Sequence, residues 1–342
     1  MKRKSILGIA VLALFTLALF MGCSGGSRGV TQTASSASAG SFSGNADQVY
    51  YMNVFLPGAD YWASCWRGFE AAAQQLGVKI EFTGCENYDA AEQVESFEQI
   101  LAQNPAGILV CPLDGDAFKP SIDRATAMGI PVNTIVTDSP DSGRLGNYTF
   151  VFENEGAMLA HSMARLIDNE GDVLMFTRTQ ENVARSVAEC QRIIREQYPR
   201  IRVVQVLYAD GDSTKAAEIT TAALQANRNI KGVLPLAAPE TIGVAQAKKE
   251  TGLNFKIVGV ENDPGVLALI KEGLVDATVA NDGYSPSYFA LINLYISKNK
   301  LCQPFTDWED VNPRFGPLPY GVYFPNYYIT KTNVDKFQPP TW

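Results

Sequence analysis

Histidine is almost absent from the chain of 342 residues, and its cysteines are scattered. His161 is the single histidine, and no two of the six cysteines have the CxxC spacing. A structural zinc site needs clustered Cys or His residues, and Ser-His-Asp or Cys-His catalysis needs a histidine within the site. The chain also has no GxGxxG, P-loop or HExxH motif. We therefore expect a protein that is not an enzyme and needs neither a metal nor a cofactor.

Basic residues are also in deficit. The chain has 28 Lys and Arg residues against 36 Asp and Glu residues, which gives a formal net charge of −8. Affinity for nucleic acid depends on Lys and Arg side chains that neutralise phosphates, so this balance argues against a nucleic-acid partner. Residues 5–22 form the one apolar run that approaches the length of a membrane span.

The first 23 residues predict secretion. Met1 to Lys4 is basic, residues 5–22 are uncharged and mostly apolar, and a glycine precedes Cys23. This order is typical of a signal peptide. The Gly-Cys junction resembles the lipobox of bacterial lipoproteins, in which the cysteine is acylated after cleavage, although Phe20 stands where leucine is usual. We expect a lipoprotein signal peptide over 1–22 and a lipid on Cys23, which places the protein in the cell envelope on the outer side of a bacterial membrane. The alternative is an uncleaved N-terminal anchor.

The remaining chain divides into a tether and a globular part. Residues 23–47 are mostly Ser, Gly, Ala and Thr, which predicts a flexible tether behind the lipidated cysteine. From Val49 onward, short apolar strands alternate with amphipathic helices. This alternation predicts an α/β fold with parallel sheets, and the number of units favours two doubly wound lobes. Ligands of such sheets bind at the carboxyl ends of strands, which here would be the cleft between the lobes.

Several segments in a fixed order resemble the substrate-binding lipoproteins of sugar ABC importers. These proteins form the ribose- and galactose-binding branch of the type I periplasmic binding proteins. The segments that carry the resemblance are Asp60–Trp62, Gln99–Asp114, Met128–Val132, Glu153–Gly156, Asn182–Arg185, Ile257–Glu261, Lys271–Thr278 and Tyr328–Val334. The resemblance implies two lobes joined by a three-strand hinge, with chain crossings near 153, near 281 and near 310–320. It places lobe one at 48–152 plus 283–310 and lobe two at 153–282 plus 311–342.

Two aromatic residues at the start of the first helix are candidates for sugar stacking. Flat rings cover the apolar C–H faces of sugars, while carboxylates, amides and arginine bind the hydroxyls. Tyr61 and Trp62 match the aromatic pair that the family places there. The alternative is that both rings belong to the core, since Trp62 shares a helical stripe with Trp66 and Phe69. Asp60 precedes the pair and either binds hydroxyls or caps the helix.

The resemblance assigns further hydroxyl-binding residues at strand ends and at the hinge. Asp138 follows a strand where the family often has an acid, and the nearer family position holds Val136, which cannot bind hydroxyls. Arg185 matches an arginine that reaches the ligand, with a surface ion pair as its alternative. Glu261 replaces the usual aspartate and is one methylene longer. At the second crossing we expect Asn281 and Asp282 to contribute.

Lobe two departs from the family pattern. Residues 236–239, Leu-Ala-Ala-Pro, lack the Asn-Asp pair that is common there, and Gly211 stands where some relatives have a stacking aromatic residue. These changes predict a more apolar cleft on lobe two. A substituted sugar, a nucleoside or another small polar metabolite therefore remains an alternative to a plain pentose or hexose.

The resemblance implies partners as well as a ligand. We expect a monomer that binds a small, carbohydrate-like molecule and delivers it to an ABC permease, with the lipid anchor holding it at the membrane. The alternative is a ligand-sensing protein that acts on a chemoreceptor or a sensor kinase. Among the cysteines, one disulfide within Cys65, Cys85 and Cys111 is possible, and burial as small hydrophobic side chains is the other interpretation.

Overall fold

The computed structural model describes residues 45–178, 180–302 and 318–337. The predicted signal peptide, Cys23 and nearly all of the tether lie outside the described residues. None of the helices within the described ranges has the length and apolarity that a membrane span needs.

Twelve strands and nine helices alternate along the described part of the chain. The first run of elements is β1 (Val49–Phe55), α1 (Asp60–Leu76), β2 (Lys79–Cys85), α2 (Ala90–Leu101), β3 (Gly107–Val110), α3 (Gly115–Ala127), β4 (Val132–Ile135) and β5 (Gly146–Phe150). The second run is α4 (Phe152–Leu166), β6 (Gly171–Phe176), α5 (Glu181–Gln197), β7 (Ile201–Leu207), α6 (Ser213–Ala226), β8 (Ile230–Leu234), α7 (Ala238–Thr251), β9 (Lys256–Val260), α8 (Pro264–Glu272) and β10 (Ala277–Asn281). The last elements are α9 (Tyr284–Lys298), β11 (Gly321–Phe324), β12 (Asn326–Thr330) and a short 3-10 helix (Val334–Lys336).

The strands form two six-stranded sheets with the same internal order. The first sheet runs β2-β1-β3-β4-β5-β11, and the second runs β7-β6-β8-β9-β10-β12. All neighbours in the first sheet are parallel, and in the second only β12 runs antiparallel, beside β10. Helices cover both faces of each sheet, which confirms the predicted fold of two doubly wound lobes.

The cores lie on both faces of each sheet because neighbouring residues of a strand point to opposite sides. Tyr51 and Met52 on β1 pack into different apolar clusters, and so do Val279 and Ala280 on β10. Strands buried on both faces therefore appear as continuous apolar runs.

Helix boundaries follow from local chemistry at both ends. The Asp89 carboxylate accepts hydrogen bonds from the amides of Ala91 and Glu92 and so caps the start of α2. Gly77 ends α1 with a φ of 67°, a left-handed conformation that glycine adopts without steric cost. These ends set the short loops that bring each strand's carboxyl end to the edge between the lobes.

Three crossings join the lobes, and the last lies later than expected. The first passes through Val151, between β5 and α4, and the second lies between β10 and α9. The third passes through Pro325, because β11 pairs with β5 in the first sheet and β12 pairs with β10 in the second. The expectation of a crossing near 310–320, with all of 311–342 in lobe two, is therefore wrong for residues 321–324. Proline has no backbone N–H to continue a ladder, so Pro325 separates two strands that look alike in the sequence.

Candidate functional site

The candidate site lies where the carboxyl ends of both sheets meet the hinge. Parallel strands bring the residues that follow them to one edge of their sheet. In lobe one, Tyr61 follows β1 and Tyr88 follows β2, while in lobe two Arg178 follows β6 and Glu261 follows β9. The backbone of Asp60 begins α1, but its side chain lies outside the described residues.

Of the two predicted stacking residues, Tyr61 is partly exposed and Trp62 is buried. Trp62 is 3% exposed, and its indole N–H donates to the carbonyl oxygen of Phe55 at 2.9 Å. Trp62 thus packs in the core of lobe one, the alternative that the sequence left open. The Tyr61 ring meets Trp62 edge-on at 5.1 Å between centroids and keeps a partly exposed surface.

Groups of both lobes raise the pKa of Tyr61. Burial raises the pKa of Tyr61 well above its ordinary value, and nearby Cys65, Cys111, Glu261 and Asp282 raise it further. The phenol therefore remains neutral and can both donate and accept a hydrogen bond.

A second aromatic residue, missed by the sequence analysis, bridges the lobes. The Tyr88 ring is half exposed and packs on Phe55 at 5.1 Å between centroids. Its hydroxyl oxygen accepts a hydrogen bond from Nε2 of Gln180, in lobe two, at 3.0 Å. Arg178 and Glu261 also affect the pKa of Tyr88, which burial raises. Tyr88 and Tyr61 therefore supply two aromatic rings from lobe one.

A buried ion pair forms part of lobe two, where the sequence predicted an apolar wall. Nε and Nη2 of Arg178 donate to the two carboxylate oxygens of Glu240 at 3.0 and 2.7 Å. The Glu240 side chain is 2% exposed and also accepts from the amide of Gly211, whereas Arg178 is 23% exposed. Burial lowers the pKa of Arg178, but Glu240, Glu261 and Tyr88 raise it by more. Arg178 therefore brings a guanidinium group to the strand ends of lobe two, and the apolar cleft on lobe two stays a prediction.

Glu261 adds a carboxyl group with an unusual pKa beside Arg178. Burial raises its pKa from 4.5 to about 7, while the Ala238 amide, which donates to Oε2 at 3.1 Å, and Arg178 lower it. The Glu261 backbone has a φ of 77°, its amide donates to the carbonyl of Val279, and its carbonyl accepts from the Thr278 hydroxyl at 2.7 Å. At neutral pH this carboxyl group is divided between its two protonation states.

Lobe one repeats the backbone geometry of Glu261 at Val136. Val136 follows β4, has a φ of 65°, donates its amide to the carbonyl of Tyr148 and accepts from the Thr149 hydroxyl at 2.7 Å. A β-branched residue rarely adopts a positive φ. The equivalent strand ends of the two lobes thus share one backbone conformation and one pattern of backbone hydrogen bonds, but only lobe two places a hydrogen-bonding side chain there.

Asp138 does not offer a free carboxylate, contrary to expectation. Nε and Nη2 of Arg144 donate to its two oxygens at 2.5 and 2.6 Å, and the Thr134 hydroxyl donates at 2.8 Å. Arg144 is 3% exposed and also donates to the carbonyl of Tyr320. Asp138 therefore compensates a buried cation and ties the loop after β4 to the segment before β11.

Arg185 forms the surface ion pair that was its alternative interpretation. Its Nη2 lies 2.8 Å from Oε1 of Glu153, and both side chains are more than two-fifths exposed. Glu153 is at the start of α4, next to the first crossing. A ligand-binding role for Arg185 stays a prediction.

Asn281 and Asp282 take part in hydrogen bonds of the second crossing. Asn281 Nδ2 donates to Oε2 of Glu155 at 3.1 Å, and its Oδ1 accepts from Asn326. Glu155 is 5% exposed, accepts from the Ser186 hydroxyl, and has a pKa that burial raises. Asp282 caps α9 by accepting from the Tyr284 amide at 2.9 Å. Ligand contacts by Asn281 and Asp282 stay predictions.

The structure bears on the metal and disulfide expectations only within the described residues. No group of three or more His, Cys, Asp or Glu side chains there could hold a metal ion. Cys65, Cys85, Cys111 and Cys190 are free and buried, so the three candidates form no disulfide with one another. Burial as small hydrophobic side chains accounts for them.

Comparisons with known proteins point to one family. The sequence profile of the periplasmic binding protein domain matches residues 49–295. The ribose import binding protein of Bacillus subtilis is 24% identical over 229 residues, which cover 64% of this chain and 72% of that protein. The D-allose-binding periplasmic protein of Escherichia coli is 27% identical, over 65% of this chain and 75% of that protein.

Solved structures give the same result over a larger part of the chain. A sugar-binding protein of a sugar ABC transporter from Bacillus halodurans is 30% identical, with a TM-score of 0.80, over 85% of this chain and all of that chain. An arabinose binding protein from Geobacillus stearothermophilus is 29% identical, with a TM-score of 0.76, over 85% of this chain and 99% of that chain. These relatives are binding proteins rather than enzymes, as expected. The chain belongs to the periplasmic binding protein family, within its type I sugar-binding group.

Proposed function

We propose that this periplasmic binding protein binds a small sugar between its lobes, closes around it and delivers it to an ABC permease. The observation that carries the proposal is the hydrogen bond from Gln180 of lobe two to Tyr88 of lobe one. The strand ends beside this contact carry Tyr61 in lobe one and Arg178 and Glu261 in lobe two. Relatives named for ribose, allose and arabinose support a monosaccharide as the ligand.

The chemistry of these four residues suits a polyhydroxylated ring. Aromatic faces cover C–H surfaces, and the ionised groups bind hydroxyls by directional hydrogen bonds. The isopropyl group of Val136 cannot accept a hydrogen bond, so hydroxyl recognition at the two equivalent positions falls to Glu261 alone. Arg178 is held by Glu240 and therefore presents its remaining donors in a fixed direction.

Closure follows from the position of the site. Ligand that touches both lobes favours the arrangement in which both sets of contacts are made. The Tyr88–Gln180 hydrogen bond is one direct contact that such an arrangement contains. The closed form offers the permease a surface that the open form lacks.

The affinity for sugar should depend on pH through Glu261. Its pKa of about 7 means that the carboxylate, the better acceptor for hydroxyls, is lost on acidification. If the bound form needs the carboxylate, the dissociation constant for ribose, arabinose or allose should rise about tenfold between about pH 8 and about pH 6. Calorimetric titration at several pH values measures this slope.

Two variants make the pH experiment specific. Glu261→Gln should bind more weakly at high pH and lose the slope, whereas Glu272→Gln, an exposed residue of α8, should keep it. Without ligand the trend in stability is opposite, because a raised carboxyl pKa stabilises the fold fully below about pH 4.5 and that contribution is lost as pH rises through 7. An unchanged slope in Glu261→Gln would remove Glu261 from the site.

We also propose that a lipid on Cys23 holds the receptor at the membrane surface. The support is the signal-like segment before Cys23 and the Ser- and Gly-rich segment after it. Cys23→Ser should leave the protein unprocessed or free of the membrane fraction. Processed Cys23→Ser protein that still sediments with membranes contradicts the anchor.

A further inference from the structure

A separate pocket of about 430 Å³ opens beside the second crossing of the hinge. Lobe one contributes Arg67 of α1 and Tyr284 of α9, and lobe two contributes Asn262, Tyr327 and Lys336. Tyr61, Tyr88, Arg178 and Glu261 do not line it. Asn281 and Asp282, which stay predicted sugar contacts, do line it, so the pocket adjoins the proposed sugar site without containing its four residues. Its volume is that of a small-molecule site.

Two unpaired cations face this hinge pocket. Within the described residues, neither the Arg67 guanidinium nor the Lys336 ammonium group has an ion-pair partner. Nε of Arg67 is buried and has no hydrogen-bond partner in the described part of the chain. A buried donor without an acceptor costs free energy, which an acceptor from a ligand would recover.

The acidic residue of the lining is already hydrogen-bonded. Asp282 accepts from the amide of Tyr284 and from the hydroxyls of Ser64 and Ser285. The two cations leave the lining with an excess of positive charge, whereas the whole chain is acidic. The local charge therefore favours an anion, against the charge of the molecule as a whole.

Aromatic side chains form the other walls of the hinge pocket. Tyr327 and Phe337 meet edge-on at 6.0 Å between centroids, and Tyr284 and Tyr327 are 39% and 37% exposed. Exposed rings of this kind stack with flat apolar groups. A guanidinium group binds a carboxylate through two parallel hydrogen bonds, and a nearby ammonium group adds charge.

We propose that the hinge pocket binds a small aromatic carboxylate, with its ring against Tyr327 and Phe337 and its carboxylate between Arg67 and Lys336. Because Arg67 belongs to lobe one and Lys336 to lobe two, the bound molecule bridges the lobes at the hinge. The proposal does not depend on which sugar occupies the other site.

Benzoate, with benzamide as its neutral counterpart, tests the proposal by calorimetric titration at low ionic strength. Benzoate should bind with 1:1 stoichiometry, and benzamide should bind at least about tenfold more weakly, since it lacks the charge that Arg67 and Lys336 recognise. Arg67→Gln and Lys336→Gln should each weaken benzoate binding by about tenfold or more. Arg192→Gln, which removes an exposed arginine of α5, should leave it unchanged.

The outcomes separate this pocket from the sugar cleft. Tyr61→Ala should keep benzoate binding, even though it is expected to lose sugar binding. Equal affinities for benzoate and benzamide, no measurable binding of either, or undiminished binding by both cation variants each overturns the proposal. Loss of benzoate binding in Tyr61→Ala would place benzoate in the sugar cleft. That result would also overturn the hinge-pocket proposal, without bearing on the sugar proposal.

Discussion

Replacing Arg178 with methionine is expected to lower the free energy of unfolding by about 3–5 kcal/mol, because a buried charge loses its partner. Glu240 is 2% exposed, and after the change the amide of Gly211 would be the one remaining hydrogen-bond donor to its carboxylate among the described residues. Chemical and thermal unfolding of the purified variant measure the loss, and the melting temperature should fall by roughly 10 °C. The same variant should lose sugar affinity, since Arg178 is one of the two residues that lobe two contributes to the proposed site.

A matched control and a double variant identify the cause. Arg192 on α5 pairs with Glu189 and Glu196 on an exposed surface, so Arg192→Met should cost no more than about 1 kcal/mol. Combining Arg178→Met with Glu240→Gln should recover part of the stability, because the unpaired charge is removed as well. Equal losses for the two arginine variants, or no recovery in the double variant, contradict the buried-pair account.

Replacing Tyr61 with alanine is expected to weaken sugar binding by about 100-fold, which corresponds to losing one large aromatic contact of about 2–3 kcal/mol. The ring is partly exposed, so the melting temperature without sugar should change much less than it does for Arg178→Met. Calorimetric titration with the sugar that binds the parent protein measures the affinity. Tyr61→Phe should retain most of the binding, since the stacking face remains.

An exposed tyrosine outside the cleft supplies the comparison for Tyr61. Tyr323 on β11 is 67% exposed, and Tyr323→Ala should leave the affinity for sugar unchanged. If Tyr61→Ala binds sugar as tightly as Tyr323→Ala, Tyr61 does not belong to the site. If Tyr61→Ala loses its cooperative unfolding transition, Tyr61→Phe and the pH slope of Glu261→Gln still test the site.

The fold could be predicted because the apolar pattern and the residues at helix ends both favour the same elements. The predicted alternation of short apolar strands and amphipathic helices from Val49 onward matches the order of elements from β1 to α9. Apolar runs, N-cap residues and C-terminal glycines all report local structure, which short segments determine by themselves. The assignment of residues 321–324 failed because β11 and β12 have similar local signals, and only long-range pairing assigns each to its sheet.

The site was predicted less well because its chemistry depends on pairing. Tyr61 and Glu261 were predicted through the family resemblance, and both follow strands. Position after a strand, applied to β2 and β6, would have indicated Tyr88 and Arg178. The sequence could not show that Arg144 donates hydrogen bonds to both carboxylate oxygens of Asp138. The sequence also could not show that Arg178 forms an ion pair with Glu240, which lies 62 residues away along the chain.

The most direct measurement of the central claim is thermal unfolding of the protein against separate pentoses, hexoses, nucleosides and amino acids. A ligand present at about 1,000 times its dissociation constant adds about 4 kcal/mol to the stability of the fold. For a protein of this size the melting temperature should then rise by roughly 10 °C. A sugar receptor predicts such a rise with one or a few monosaccharides, and its loss in Tyr61→Ala. A rise only with nucleosides or amino acids, or with none of the panel, contradicts the proposed function.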